Sequence, residues 1–158
     1  MTVSSIKDML IAIRARCGAM DLKMQCGSDG AVSARLAVVS EAPGEREVTM
    51  GLPLVGGSGQ VLWTALRKYN VKRTDVYITN VVKRQLLTDR DNKLQVGADE
   101  LQHWQELLRW ELTQLPNIDT VLILGGPALK ALVGEDGIMQ WRGSVVPFEL
   151  RQIGRAHV

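Results

Sequence analysis

The chain has 158 residues, of which 46% are hydrophobic and 23% charged, and its net charge is +2 at pH 7. This length and composition are typical of one globular domain, here spanning residues 1–158, with a single core. No apolar run approaches the ~18 residues of a membrane span. The charged residues Lys7 and Asp8 lie where a secretory signal would have its apolar region, so such a signal is not expected. Two cysteines, Cys17 and Cys26, are too few for a disulfide framework. We therefore expect a monomeric, cytoplasmic protein with no membrane segment.

The pattern of apolar residues predicts helices and strands that alternate along the chain. Helices are predicted over residues 6–16, 58–69, 99–115 and 125–133, and strands over residues 35–40, 75–82, 120–124 and 144–150. In this prediction Ser4 or Ser5 caps the first helix and Ser58 caps the second. Strands that alternate with helices form parallel sheets with helices on both faces. The predicted fold is α/β, a three-layer α/β/α domain around a mostly parallel sheet of about four strands.

A carboxylate, Glu41, follows the first predicted strand directly and begins a turn that continues with Ala42, Pro43 and Gly44. In parallel α/β sheets, ligands bind in the crevice beyond the carboxyl ends of the strands. A charge at a buried strand end is costly unless it has a partner or a chemical task. Glu41 is therefore a candidate functional residue, and the alternative is a carboxylate that caps or bridges a neighbouring loop.

The second predicted strand carries an amide, Asn80, towards the same edge of the sheet. A primary amide donates and accepts hydrogen bonds at once, which suits the edge of a nucleobase. The alternative is an asparagine that bonds the backbone of its own loop.

Before the second predicted helix lies the segment GGSG, residues 56–59. Glycines at a helix N-terminus allow a phosphate to approach the backbone closely; the alternative is a flexible loop that merely enters the helix. The segment is neither a Walker loop nor a GxGxxG motif, so nucleotide binding by those routes is poorly supported.

Three segments carry a resemblance to a known family: EAPGERE (41–47), GLPLVGGSGQVL (51–62) and ITNVVK (78–83). In this order and spacing they resemble the uracil-DNA glycosylase superfamily, closest to its bacterial and archaeal iron–sulfur branch, family 4. The resemblance covers residues 17–143. It implies the same three-layer fold and a DNA repair enzyme that flips uracil out of DNA and hydrolyses its N-glycosidic bond.

The resemblance also implies roles for individual residues. Glu41 matches the catalytic carboxylate, which would stabilise an oxocarbenium-like transition state and orient a water molecule. Asn80 matches the asparagine that accepts a hydrogen bond from uracil N3–H and donates one to uracil O4. Cytosine presents the reverse pattern of donors and acceptors at that edge. The remaining implied base-binding residues are Ser40, Ala42, Pro43 and Leu54. The implied DNA-binding residues are Gly56, Gly57, Ser58, Gly59 and Lys83, which would contact phosphates.

The chain departs from the family in its pocket and at its metal ligands. Leu54 replaces a phenylalanine that stacks on the base, and Ser40 replaces a glycine. The four cysteine positions of the family's iron–sulfur cluster hold Cys17, Met20, Arg84 and Trp104. One matching thiolate is too few for such a cluster, even with Cys26 and His103 nearby in sequence. We expect no metal and no cofactor, with Met20 and Trp104 filling the space by packing.

The family's second catalytic motif, His-Pro-Ser/Ala, is absent. His157 is followed by Val158 rather than by proline, and it is interpreted as an exposed terminal residue rather than a catalytic one. Either the chain is truncated at its C-terminus or it is a reduced member of the superfamily. Two hypotheses follow: an enzyme acting on uracil-containing DNA, weak because of this loss, or an inactive module that binds uracil or DNA. A Rossmann-like nucleotide domain would need phosphate motifs that this sequence lacks.

Overall fold

The computed structural model describes residues 2–87 and 96–150. The centre of the predicted loop over residues 86–97, and His157, lie outside the described residues. Within the described ranges, no helix is long and apolar enough to cross a membrane.

Helices and strands alternate along most of the chain, as predicted. The elements are α1 Ile6–Ala19, β1 Asp29–Gly30, β2 Leu36–Ser40, α2 Glu45–Met50, α3 Gly57–Arg67, a 3-10 turn Arg73–Asp75, β3 Tyr77–Asn80, α4 Ala98–Thr113, β4 Thr120–Ile123, α5 Gly126–Val133 and α6 Ile138–Trp141. Ser5 caps α1 as expected, because its side chain accepts a hydrogen bond from the backbone N–H of Asp8 at 3.1 Å.

The sheet has the strand order β1-β3-β2-β4. Strand β2 pairs in parallel with β3 on one side and with β4 on the other, whereas the short β1 pairs antiparallel with β3. The main core cluster contains apolar residues of α1, α4 and α5 on one face of the sheet. A smaller cluster joins α3 to the opposite face through Leu62 and Trp63. These two layers of helices confirm the predicted three-layer α/β/α fold.

The predicted strand over residues 144–150 is wrong. The chain there is irregular and follows the short helix α6. Pro147 lies in its middle and has no N–H to donate to a strand ladder. Val145 is 99% exposed, whereas Phe148 and Leu150 pack against the main core. The segment is thus held by side-chain packing and not by pairing with the sheet.

The loop predicted between the first strand and the second helix contains a further helix, α2. Its first turn carries Glu45 and Glu47, and acidic residues are favourable at a helix N-terminus. Ser58 does not cap α3 as predicted; the N-cap is Gly56, whose backbone N–H donates to Glu47 Oε1 at 2.8 Å. A carboxylate from the preceding helix therefore replaces the expected serine cap.

Polar side chains form a fully buried cluster beneath β3. Its members, each at most 2% exposed, are Ser28, Tyr77, Thr79, Lys83 and Glu111. Glu111 Oε1 accepts hydrogen bonds from the hydroxyls of Ser28 and Tyr77. Burial and the adjacent Glu111 carboxylate raise the pKa of Tyr77 well above its ordinary value, so this phenol stays a donor.

Lys83 was expected to contact DNA phosphate, and the structure corrects this. Its side chain is 1% exposed, and its ammonium lies 2.7 Å from Glu111 Oε2. The same Nζ donates to Thr79 Oγ1 at 2.6 Å and to the Asn80 carbonyl oxygen at 3.0 Å. An ammonium has three N–H donors, so these partners leave none for a phosphate.

The buried ion pair predicts a large effect of Lys83→Met on stability. Removing one partner leaves the Glu111 carboxylate buried without its counter-charge, which costs about 3–5 kcal/mol. Urea denaturation should show this loss, and adding Glu111→Gln should recover part of it. Arg35→Met is the control, because its pair with Asp119 is exposed and should change the midpoint little. Equal effects of Lys83→Met and Arg35→Met would contradict the assignment.

Candidate active site at the strand ends

Ser40 and Asn80 face each other at the carboxyl ends of β2 and β3. They are register partners in the parallel ladder, and Val81 N–H donates to the Ser40 carbonyl oxygen at 2.8 Å just beyond them. The Ser40 hydroxyl donates to Asn80 Oδ1 at 2.5 Å. The residue Asn80 is 2% exposed, and its buried Nδ2 has no hydrogen-bond partner within residues 2–87 and 96–150. Such a donor costs about 1–3 kcal/mol while it stays unpaired, which is tolerated where a ligand can satisfy it.

Glu41 follows Ser40 at the edge of the sheet. Its carbonyl oxygen accepts a hydrogen bond from Val82 N–H at 2.9 Å, which continues the β2–β3 pairing by one residue and fixes the backbone. The residue is half-buried, and no residue in the described ranges donates a hydrogen bond to its carboxylate. The alternative role of capping or bridging a neighbouring loop therefore finds no support. The predicted pocket residues Ala42 and Pro43 complete this turn, half-buried and buried respectively.

Leu54 lies on the same side of the sheet as Ser40 and Asn80. It is 7% exposed and packs in the smaller core cluster with Val38 and Ile78. Side chains two positions apart on a strand share a face, so Ser40 lies on the same face as Val38, and Asn80 lies on the same face as Ile78. The structure thus places Leu54 on the face of the sheet that carries Ser40 and Asn80, with an aliphatic side chain in place of an aromatic ring.

The backbone around Leu54 is held in an unusual conformation. Its φ of 53° lies in the left-handed region, which is uncommon for residues other than glycine. The Leu54 carbonyl oxygen accepts from Trp63 Nε1 at 2.9 Å and from the Arg73 guanidinium at 3.2 Å. Arg73 also donates to the Pro53 carbonyl oxygen at 2.7 Å and pairs with Asp29 at 2.9 Å. These contacts fix the loop that enters α3.

The GGSG segment divides into a structural part and an exposed part. Gly56 donates its N–H to Glu47, and a side chain at Gly56 would crowd that carboxylate. Gly59 is buried, and a Cβ there would overlap the carbonyl group of Leu54. Gly57 and Ser58 are exposed in the first turn of α3. First-turn N–H groups have no partner within the helix and favour anions, so these two residues are the exposed phosphate-binding candidates.

The residues at the family's cluster positions do not fit an iron–sulfur cluster. Arg84 pairs with both carboxylate oxygens of Glu100, at 2.6 and 2.9 Å, and Trp104 Nε1 donates to the same carboxylate at 3.0 Å. The Arg84 hydrogen bond holds the pKa of Glu100 below its ordinary value. Cys17 and Met20 pack in the main core. An arginine, a methionine and a tryptophan therefore stand where thiolates would be required.

The two cysteines are both free and buried. Burial raises the pKa of Cys17 and raises that of Cys26 to about 11, so both thiols stay protonated near neutral pH. Across the described ranges no three His, Cys, Asp or Glu side chains lie close enough together to hold a metal ion.

Sequence reasoning missed residues that act by holding others in place. Glu47 caps α3, Arg73 clamps the Leu54 loop and Glu111 balances Lys83. Glu47 was visible as an acidic residue before the glycine segment, a pattern that could have suggested a cap supplied by the preceding helix. Arg73 and Glu111 gave no local signal, because their partners are distant in sequence.

The fold and the site define a class of protein, an α/β domain with a carboxylate and an amide at the carboxyl ends of adjacent parallel strands. A family model described as the uracil DNA glycosylase superfamily matches residues 28–155. The chain belongs to this superfamily, as the sequence motifs indicated.

The similar proteins come from the family 4 branch, as the motifs also indicated. A type-4 uracil-DNA glycosylase of Thermotoga maritima is 33% identical over 105 residues, which are 66% of this chain and 52% of the relative. A type-4 uracil-DNA glycosylase of Pyrobaculum aerophilum is 47% identical over 55 residues, 35% of this chain and 28% of the relative. That of Archaeoglobus fulgidus is 42% identical over 62 residues, 39% and 31% of the two chains. The chain thus spans about half the length of the Thermotoga relative, or less for the others.

Two glycines of α3 make a matched pair for testing how the loop is built. Gly59→Ala places a Cβ against the Leu54 carbonyl group and should lower the free energy of unfolding by about 1–3 kcal/mol. Gly57→Ala meets nothing within 4 Å and should leave stability unchanged or slightly raised. Thermal or urea denaturation of both variants provides the measurement. Equal stability of the two variants would contradict the close packing of Gly59 on Leu54.

Proposed function

We propose that the chain is a uracil-DNA glycosylase, a hydrolase that removes uracil from DNA. The observation that supports this most is the buried Nδ2 of Asn80, which has no hydrogen-bond partner among the described residues and lies at the strand edge where Glu41 begins the next turn. A base pocket needs a donor and an acceptor that read one edge of the base, and a glycosylase needs a carboxylate near the sugar. Membership of the superfamily and the names of the type-4 relatives support the same proposal.

In the proposed reaction the deoxyuridine nucleotide leaves the base stack and its base enters the pocket. Asn80 Nδ2 donates to uracil O4, and Oδ1 accepts from N3–H with its second lone pair. The bond between C1′ and uracil N1 breaks, its electron pair leaves with the base, and positive charge develops on the sugar. The Glu41 carboxylate stabilises this charge and orients the water that adds to C1′. The water's hydroxyl stays on the sugar, and its proton is released to neutralise the uracil anion.

The DNA strand is proposed to run over the N-terminus of α3. Gly57 and Ser58 are exposed there, and their backbone N–H groups can bind a phosphate at the positive end of the helix. Gly56 and Gly59 support this contact indirectly, through Glu47 and the Leu54 loop. Lys83 takes no part, because it is buried.

A second candidate function is a module that binds uracil or DNA without turnover. The buried aliphatic side chain of Leu54 favours it, since leucine offers no aromatic face for stacking on the base. We favour a weak glycosylase, because a leucine in place of an aromatic ring weakens base binding but leaves the Glu41 carboxylate at the end of the strand.

We also propose that the protein is a cytoplasmic monomer and that it holds no iron–sulfur cluster. The absence of a cluster is supported by the Arg84–Glu100 pair and the buried Trp104, because only one of the four cluster positions then holds a cysteine. The two buried, reduced cysteines agree with a reducing compartment.

Cleavage of an oligonucleotide that contains one uracil tests the enzymatic function. The parent should produce abasic sites, and Glu41→Ala should slow this roughly 10²-fold or more because the cationic transition state loses its counter-charge. Asn80→Asp should lower kcat/KM at least about tenfold, since a carboxylate cannot donate to O4. Glu45→Ala is the control, an exposed carboxylate four positions after Glu41. A parent that binds the oligonucleotide but forms no abasic sites would contradict the enzyme and leave the binding module.

Iron analysis of anaerobically purified protein tests the absence of a cluster. We expect substoichiometric iron and no visible thiolate–iron absorbance, because one cysteine cannot replace four. The Glu100→Gln variant should be less stable to urea than the parent, as it weakens the pairing with Arg84. Stoichiometric iron with a brown absorbance band would overturn the proposal.

A further inference from the structure

We propose that the Ser40 hydroxyl orients the Asn80 carboxamide and so determines which bases the pocket accepts. This inference rests on the proposed function, because it assumes that Asn80 reads the base. Ser40 is then a positioning residue for specificity rather than a direct contact of the base. The observation behind it is one hydrogen bond, from Ser40 Oγ to Asn80 Oδ1, beside an amide nitrogen that has no partner in the described part of the chain.

The backbone and the side chain of Asn80 are held by different groups. Its backbone is fixed by the parallel pairing with Ser40 and by Lys83 Nζ, which donates to the Asn80 carbonyl oxygen at 3.0 Å. The side chain has one hydrogen-bond partner among the residues that the structure describes, Ser40 Oγ at 2.5 Å. Removing that hydroxyl would therefore free the carboxamide while leaving the strand ends in place.

The contact also selects one of the two orientations of the amide. When Oδ1 faces Ser40, the Ser40 hydroxyl donates its hydrogen bond to Oδ1, so both groups have a partner. Nδ2 is then the group that can donate a hydrogen bond to a ligand. In the opposite orientation Nδ2 would donate to Ser40 Oγ, but the hydroxyl hydrogen would have no acceptor in the described part of the chain. Buried Oδ1 would also lose its donor. The orientation in the structure leaves fewer groups unpaired and is the stable one.

This orientation defines the chemistry of the preferred base. A donor nitrogen facing the pocket is satisfied by a base with a carbonyl oxygen at that position, as in uracil O4. The amino group of cytosine at the same position would oppose donor to donor and leave both unpaired. Specificity for the deaminated base then depends on Ser40 as well as on Asn80, even though the serine need not contact the base.

Binding of free uracil and free cytosine by the parent, Ser40→Ala and Ser40→Thr tests the inference. Ser40→Ala should raise the Kd for uracil about tenfold, which is the usual effect of one lost hydrogen bond. It should also lower the ratio of the Kd for cytosine to the Kd for uracil. Ser40→Thr keeps the hydroxyl and should restore most of the affinity. Ser33→Ala, at an exposed serine before β2, is the control and should match the parent.

Two further measurements distinguish orientation of the amide from mere stabilisation of the fold. The Asn80 side-chain amide signal, assigned by its loss in Asn80→Asp, should shift when uracil is added to the parent and shift less in Ser40→Ala. On the uracil oligonucleotide, Ser40→Ala should raise KM with kcat nearly unchanged, since the lost interaction is the same in the ground and transition states.

The outcomes separate the inference from the proposed function. Equal uracil affinity in the parent and Ser40→Ala would overturn the role of Ser40, and so would equal losses in the alanine and threonine variants. If the parent binds uracil and Ser40→Ala binds it tenfold less well, the inference stands even where no abasic sites form. In that case only the enzymatic activity fails. A parent that excises uracil while Ser40→Ala behaves identically would preserve the function and refute the inference.

Discussion

The parallel pairing of β2 with β3 is the constraint on which the site depends. It places Ser40 and Asn80 opposite each other at the ends of the two strands and continues through Val82 N–H to the Glu41 carbonyl oxygen. The backbone pairing alone therefore brings Glu41, which follows β2, and Asn80, which ends β3, to the same edge of the sheet. Below this edge, Lys83 and Glu111 hold the end of β3 against α4 from the other face of the sheet.

The second support of the site is the loop that enters α3, and it is built from backbone contacts. Glu47 caps the helix, Gly59 lies against Leu54, and Arg73 bonds the carbonyl oxygens of the loop. The loop therefore holds its shape with few large side chains, which leaves Gly57 and Ser58 exposed. A helix N-terminus and a pocket edge that share one rigid loop can bind a phosphate and a base of the same nucleotide.

The sequence predicted where Glu41 and Asn80 lie in the fold because its signals there are local. Apolar runs that end in Glu41 and Asn80 are sufficient to place both residues at one edge of a parallel sheet. The burial of Lys83 could not be predicted, since its partner Glu111 lies on a distant helix. The prediction that Ser58 caps α3 failed because the carboxylate of Glu47, on the preceding helix, accepts the hydrogen bond from the N-cap N–H instead. The strand expected over residues 144–150 failed because an apolar segment with Pro147 can pack on a core without joining a sheet.

We propose that a flipped uracil lies between Asn80 and Glu41. A crystal structure with an oligonucleotide that carries a non-hydrolysable 2′-fluoro-deoxyuridine measures this most directly. We expect uracil O4 within hydrogen-bonding distance of Asn80 Nδ2, C1′ facing the Glu41 carboxylate, and a phosphate at the N-terminus of α3. A base that remains stacked in the DNA, or one bound away from the ends of β2 and β3, would contradict it.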